Sequence, residues 1–141
     1  MVVALKPVSS NARPQQSRWY TQRLQEAARV QGASQLEGPL YARIVWFRAR
    51  REHDDVDADN VPKRILDALK GIVFANDDEI DRCLSIRTVA SAAGDFEVDL
   101  LKVPSMGVQD DLRGLLGVER HVLYIEIGPV TDAAVAFGPV R

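Results

Sequence analysis

Between Asp57 and Asp78 the chain reads DADNVPKRILDALKGIVFANDD. Two carboxylates, Asp57 and Asp59, stand two residues apart, Lys63 follows four residues later, and the adjacent pair Asp77 and Asp78 closes the segment. Acids gathered in one place repel one another, so a fold that brings them together needs a cation or a proton to offset the repulsion. Oxygen-only ligands favour a hard ion such as Mg²⁺. Mg²⁺ held by carboxylates, with water in its open positions, suits phosphodiester chemistry. Asp57, Asp59, Asp77 and Asp78 are therefore the candidate metal ligands, with Lys63 as a nearby positive charge.

The elements around these residues must position them. Asp59 or Asn60 reads as the N-cap of a helix. Pro62 is tolerated in the first turn, Ile65, Leu66 and Leu69 make an apolar face, and Gly71 ends the helix after Lys70. Asp59, Lys63 and Asp67 are spaced by four and share one side of that helix; left to itself, such a spacing gives an ion pair worth a few tenths of a kcal/mol. Ile72 to Phe74 reads as a short strand and Ala75 to Glu79 as a turn. A strand returning antiparallel to the helix would carry Asp77 and Asp78 back to the helix N-terminus, where free amides already attract anions. Elsewhere strands are expected at Val2–Leu5, Leu40–Ala49, Leu84–Val89, Phe96–Val103 and Val122–Ile127, with a turn at Ala93-Gly94-Asp95. Helices are expected at Ser17–Gln31, with an apolar stripe of Trp19, Tyr20, Leu24, Ala27, Ala28 and Val30, and at Gln109–Leu116. The last dozen residues read as poorly ordered. These elements make an α+β domain: a small mixed β-sheet with two main helices packed on it.

Charge is unevenly spread. Residues 1–51 carry nine Lys or Arg against two acids, and the remainder carries nine against eighteen, for a net charge of −2. A basic half beside an acidic half suits a protein that holds a polyanion on one surface and metal on another. Segregated solvated charge gives the same pattern, so charge alone does not decide. No apolar run approaches the roughly 20 residues that span a bilayer, and the N-terminal apolar stretch is too short for a secretory signal. The single cysteine, Cys83, has no partner for an internal disulfide; it reads as a buried small hydrophobe and suits a reducing cytosol. His53 and His121 read as a bystander and a structural residue. No P-loop, G-x-G-x-x-G, G-x-S-x-G or zinc spacing occurs, which moves several enzyme classes out of consideration.

The string Asp57-Ala-Asp59-Asn60-x-x-Lys63-x-x-x-Asp67-Ala-Leu69, followed by Asp77-Asp78-Glu79-Ile80, resembles the RusA family of Holliday junction resolvases. The loop Pro7-Val8-Ser9-Ser10-Asn11 is similar to the family's loop after its first strand. The likeness runs from about Val2 to Val103, implying a nuclease domain over 1–103 and an extension over 104–141 packed on it. The resemblance implies a cytoplasmic, Mg²⁺- or Mn²⁺-dependent endodeoxyribonuclease that acts as a homodimer on branched DNA, makes paired nicks in four-way junctions during recombination and repair, and needs no small-molecule cofactor or membrane. Asp57, Asp59 and Asp78 would then be the essential acids, Lys63 the catalytic lysine, and Asp77 and Asp67 supporting acids. Pro62, just before the lysine, departs from the pattern. Arg48, Arg50 and Arg51, beside the acidic loop, together with Arg13 and Arg18, are the expected contacts to the DNA backbone. Two rival readings stand beside this one: a related nuclease acting on another DNA structure, and a non-enzymatic DNA-binding or assembly module whose acids only solvate a helix.

Overall fold

A computed structural model describes residues 1–90 and 99–131. It contains a four-stranded mixed sheet and three α-helices. The strands are β1 (Val2–Val3), β2 (Leu40–Arg48), β3 (Ile80–Val89) and β4 (His121–Pro129); the helices are α1 (Pro14–Val30), α2 (Val61–Leu69) and α3 (Met106–Leu115). The sheet order is β1-β4-β2-β3, so β3 is an edge strand. β2 pairs parallel with β3 and antiparallel with β4, and β1 pairs antiparallel with β4. The expected α+β architecture is present, with α1 and α2 on one face of the sheet.

β2 lies between two neighbours and alternates between two cores. Leu40, Ile44 and Trp46 face α1 and α2, where Tyr20, Leu24, Ala28, Ile65 and Leu69 join them. Phe47 points the other way and meets Val122, Tyr124 and Leu112 of α3. Period-two alternation in a central strand thus serves both layers. The residues expected to form an extension beyond 103 supply α3 and the interior strand β4. β4 completes the sheet between β1 and β2, so the core is closed by the part of the chain that carries no recognisable motif.

Several local expectations change. Ile72 to Phe74 forms a turn after Gly71, whose φ is +82°, with only isolated parallel bridges from Leu36 and Lys70 to Phe74. Asp99 to Val103 is not strand: its carboxylate accepts from the Leu101 N–H at 3.1 Å and starts a 3-10 turn over Leu100–Lys102. The rest of that expected strand, the turn at 93–95 and most of the C-terminal dozen lie outside the described residues. Cys83 is exposed rather than buried, because it sits on the edge strand. On α1 the buried stripe is Tyr20, Leu24 and Ala28, while Trp19 and Val30 are exposed. Among the described residues no helix is long and apolar enough to cross a membrane.

Candidate metal and nucleic-acid site

α2 supplies a rigid platform. Val61, Ile65, Ala68 and Leu69 are buried against the sheet side, and burying side chains of this size contributes about 1.5–3 kcal/mol for each larger one. Its outward positions carry the exposed Lys63 and Asp67. Asn60 occupies the N-cap position, yet its side chain makes no cap hydrogen bond. The Asp57 backbone carbonyl does that work, accepting from the Asn60 N–H at 2.9 Å and the Val61 N–H at 3.2 Å. Asp57 and Asp59 are both exposed at this helix mouth. Among the described residues Lys63 forms no ion pair with Asp59 or Asp67, so the i,i+4 pairing that the spacing permits is not made.

The loop that carries Asp57 is clamped to the edge strand. Ser85 Oγ donates to the Ala58 carbonyl at 2.5 Å, and Arg87 Nη1 donates to the Val56 carbonyl at 2.9 Å. The carbonyls on either side of residue 57 are therefore both held by side chains two apart on β3, which share one face of the strand. Arg87 Nη1 also lies 3.4 Å from Asp57 Oδ1, a counter-charge within the ion-pair range.

Asp77 and Asp78 do not join this cluster within one chain. Asp77 Oδ2 pairs with Lys70 Nζ at 3.1 Å, which places the pair at the C-terminal end of α2. β3 then runs from that end toward the helix N-terminus, where Ser85 and Arg87 make their contacts. The nine residues of α2 separate the two pairs of acids by about 14 Å of helix. The expected return to the helix N-terminus is thus corrected: the acids come first and the returning strand follows them, because the turn after Gly71 spends its residues at the far end. Gly38 fixes the Asp77–Glu79 turn from behind. A Cβ there would meet Glu79 Cβ at 2.8 Å and the Glu79 backbone at 3.0 Å, so only glycine allows this approach.

A second acidic cluster escaped the sequence reading. Glu52, Asp54 and Asp55 place carboxylate oxygens within 4.8 Å of one another. Lys6 fills their centre, with Nζ at 2.6 Å from Glu52, 3.0 Å from Asp54 and 3.7 Å from Asp55. An ammonium thus already stands where a cation would sit. The Lys6 hydrogen bond holds the Glu52 and Asp54 carboxyls below the usual range. Burial alone would lower the Lys6 ammonium, but its hydrogen bonds to Glu52 and Asp54 outweigh that and raise it. Burial and Lys6 lower the His121 pKa, and its Nδ1 accepts from Trp46 Nε1 at 3.3 Å, a bond that requires this nitrogen to be without a proton. The signal for this network was the string Glu52-His53-Asp54-Asp55, but its partner lies 46 residues away at Lys6.

The arginines separate. Arg13, Arg18, Arg50 and Arg51 are exposed. Arg48 is 5 % exposed; Nη1 bonds Asp55 Oδ2 at 2.6 Å, and its guanidinium lies 5.2 Å from the Trp46 ring centroid. It is therefore removed from the expected DNA-facing set. A long strand residue next to an acidic loop looks like a surface contact in sequence, but β2 is central and its end is covered. Arg48→Ala would leave the Asp55 carboxylate, 4 % exposed, without its buried partner, and should cost about 3–5 kcal/mol of stability. Urea denaturation checks this, and a loss below 1 kcal/mol would contradict the buried pairing.

Four exposed carboxylates thus flank the two ends of α2, with Lys63 on that helix and Arg13, Arg18, Arg50 and Arg51 exposed elsewhere, and the family comparison bears on the same residues. The family model of endodeoxyribonuclease RusA matches residues 7–100. That span holds the Pro7–Asn11 loop, all of α2, and both pairs of acids. No curated protein sequence matches the chain significantly. A match over more than half of the chain, covering every element that positions these acids, shows that the chain belongs to the RusA family of endodeoxyribonucleases.

Proposed function

We propose that this protein is a divalent-metal-dependent endodeoxyribonuclease that resolves four-way DNA junctions, and that two copies are needed to build each site. The observation that carries this reading is the division of the acids. Asp57, Asp59 and Lys63 stand at the start of α2, whereas Asp77 and Asp78 stand at its far end, at the start of the edge strand. The donor chemistry fits a hard ion, since all four groups are carboxylates, but one chain does not supply them at one point.

A second copy supports the missing half. β3 is ten residues long, lies at the sheet edge, and exposes Leu84 and Ile86. An uncovered strand of this length is a template for pairing. If two β3 strands pair antiparallel about a two-fold axis, the start of each lies beside the end of the other. Asp77 and Asp78 of one protomer then approach the Arg87-clamped Asp57 loop of its partner. A two-fold arrangement of this kind gives two equivalent sites, which suits paired nicks.

In this reading Asp57 and Asp59 of one protomer, with Asp77 and Asp78 of the other, hold Mg²⁺ or Mn²⁺. Such an ion, when bound, acidifies water and polarises a phosphate. Lys63 presents a point charge to the phosphate as negative charge builds on it. Arg87 keeps the Asp57 loop in place. Arg50, Arg51, Arg13 and Arg18 hold the backbone; these contacts carry no sequence information, so selectivity for a branch comes from the fixed spacing of two sites.

The test is cleavage of a synthetic four-way junction beside a linear duplex of the same sequence. Junction cleavage should require Mg²⁺ or Mn²⁺, stop with EDTA, and exceed duplex cleavage. Junction affinity should fall steeply with salt, and the log–log slope should lessen by about 1 for each arginine removed from the set of four. Equal cleavage of junction and duplex would favour a general nuclease, and metal-independent binding without cleavage would favour an assembly module.

A further inference from the structure

We infer that Trp19 is a stacking platform for a nucleobase that has left the duplex at a branch point, an inference that rests on the junction-cleaving reading above. Trp19 lies on α1 beside Tyr20, which is 1 % exposed, yet Trp19 itself is 52 % exposed. Half-exposed, its ring offers a broad aromatic face with a polar edge to a ligand. It lines a groove of about 340 Å³ together with Pro7, Val8, Asn11, Asp54 and Val56. That volume falls within the range of ligand clefts, roughly 300–1,000 Å³.

The groove is joined to the candidate site through the backbone. Val56 immediately precedes Asp57, and its carbonyl is held by Arg87. On the other wall, Arg64 of α2 donates to the Ser10 carbonyl at 2.6 Å, tying the Pro7–Asn11 loop to the helix that carries Lys63. Groove and acids therefore share one frame. Charge also suits DNA here. Asp54 on the wall is paired with Lys6 at 3.0 Å, and Arg13 and Arg18 are exposed on the same stretch of chain as Trp19.

The mixed lining points to a base as the occupant. A purely apolar ligand would use the ring but strand the polar groups of Ser9, Asn11 and Gln16, which also line the groove. A nucleobase has a π-face for Trp19 and polar edges for those groups. Bases in an intact duplex are stacked on one another and cannot reach the ring, whereas a distorted branch point can release one. Stacking on an aromatic side chain is tolerant of sequence and changes affinity by roughly ten- to a hundredfold per base.

The experiment compares wild type, Trp19→Ala and Trp19→Phe for binding to a four-way junction and to a linear duplex, with Ca²⁺ in place of Mg²⁺ to hold the substrate intact. Thermal unfolding checks that each variant folds. Trp19→Ala should weaken junction binding by roughly tenfold or more while leaving duplex binding within about twofold, and Trp19→Phe should recover most of the loss. With 2-aminopurine at the branch, wild type should quench the probe and Trp19→Ala should not. Junction affinity unchanged in Trp19→Ala, or lost equally with duplex affinity, would overturn the stacking role alone. A wild type that binds junction and duplex alike would instead overturn the functional reading on which it rests.

Discussion

Asp59→Asn is expected to reduce Mg²⁺-dependent junction cleavage by roughly 10³-fold, because an amide cannot supply the charge that holds a hard cation beside the phosphate. Asp78→Asn should do the same. Both side chains are exposed, so each change should alter stability by no more than about 0.5 kcal/mol, and junction binding in Ca²⁺ should persist. The instructive control is Asp54→Asn. Asp54 belongs to the other acidic cluster, whose centre is filled by Lys6 at 2.6–3.7 Å. If the ammonium substitutes for a metal there, Asp54→Asn should cleave close to the wild-type rate. Loss of cleavage in Asp54→Asn with retention in Asp59→Asn would move the site to Glu52, Asp54 and Asp55 and remove the assignment made here. Cleavage rates at saturating enzyme, with binding measured separately, distinguish these outcomes.

The sequence disclosed the helix platform well, for identifiable reasons. Pro62 in the first turn and Gly71 at the end bound α2 closely, and the apolar spacing of Ile65 and Leu69 set its buried side. The strands β2 and β4 were legible because each carries a run of apolar, β-branched and aromatic residues, Leu40–Phe47 broken only by Arg43 and Val122–Ile125 unbroken. What failed was long-range placement. Nothing local says that β4 inserts between β1 and β2, since sheet order depends on contacts far apart in the chain. The same limit applied to the acids. Local spacing showed that Asp57 and Asp59 lead into a helix, but the position of Asp77 depended on the Gly71 turn and on Lys70, which pairs with it. Arg48 was misread for a related reason: its neighbours Arg50 and Arg51 are exposed, and only the sheet packing shows that the strand end is covered. Trp19, expected in a core stripe, was displaced by one position of helical phase, because Tyr20, Leu24 and Ala28 fill the available face.

Mixing two inactive variants should restore cleavage if each site draws on two chains. In a dimer of one Asp59→Asn protomer and one Asp78→Asn protomer, one site receives both changes and the other receives neither. That second site combines the intact Asp57 and Asp59 of one chain with the intact Asp77 and Asp78 of its partner. Heterodimers isolated by two different tags should therefore regain about half of the wild-type sites and should nick one strand of a junction rather than two, as expected from two-fold symmetry with one live site. A mixture of Asp57→Asn with Asp59→Asn should stay inactive, because both changes fall on the same half of the site and no combination leaves one whole. If each chain carried a complete site of its own, every one of these mixtures would remain dead. The physical basis lies in the observed separation: Asp77 is held by Lys70 at one end of α2, Asp57 by Arg87 at the other, and the edge strand β3 runs between them. Pairing of that strand with its copy about a two-fold axis is the arrangement under test, because it would set the start of one strand beside the end of the other. Recovery of nicking in the crossed pair, and its absence in the same-half pair, is the measurement that decides it.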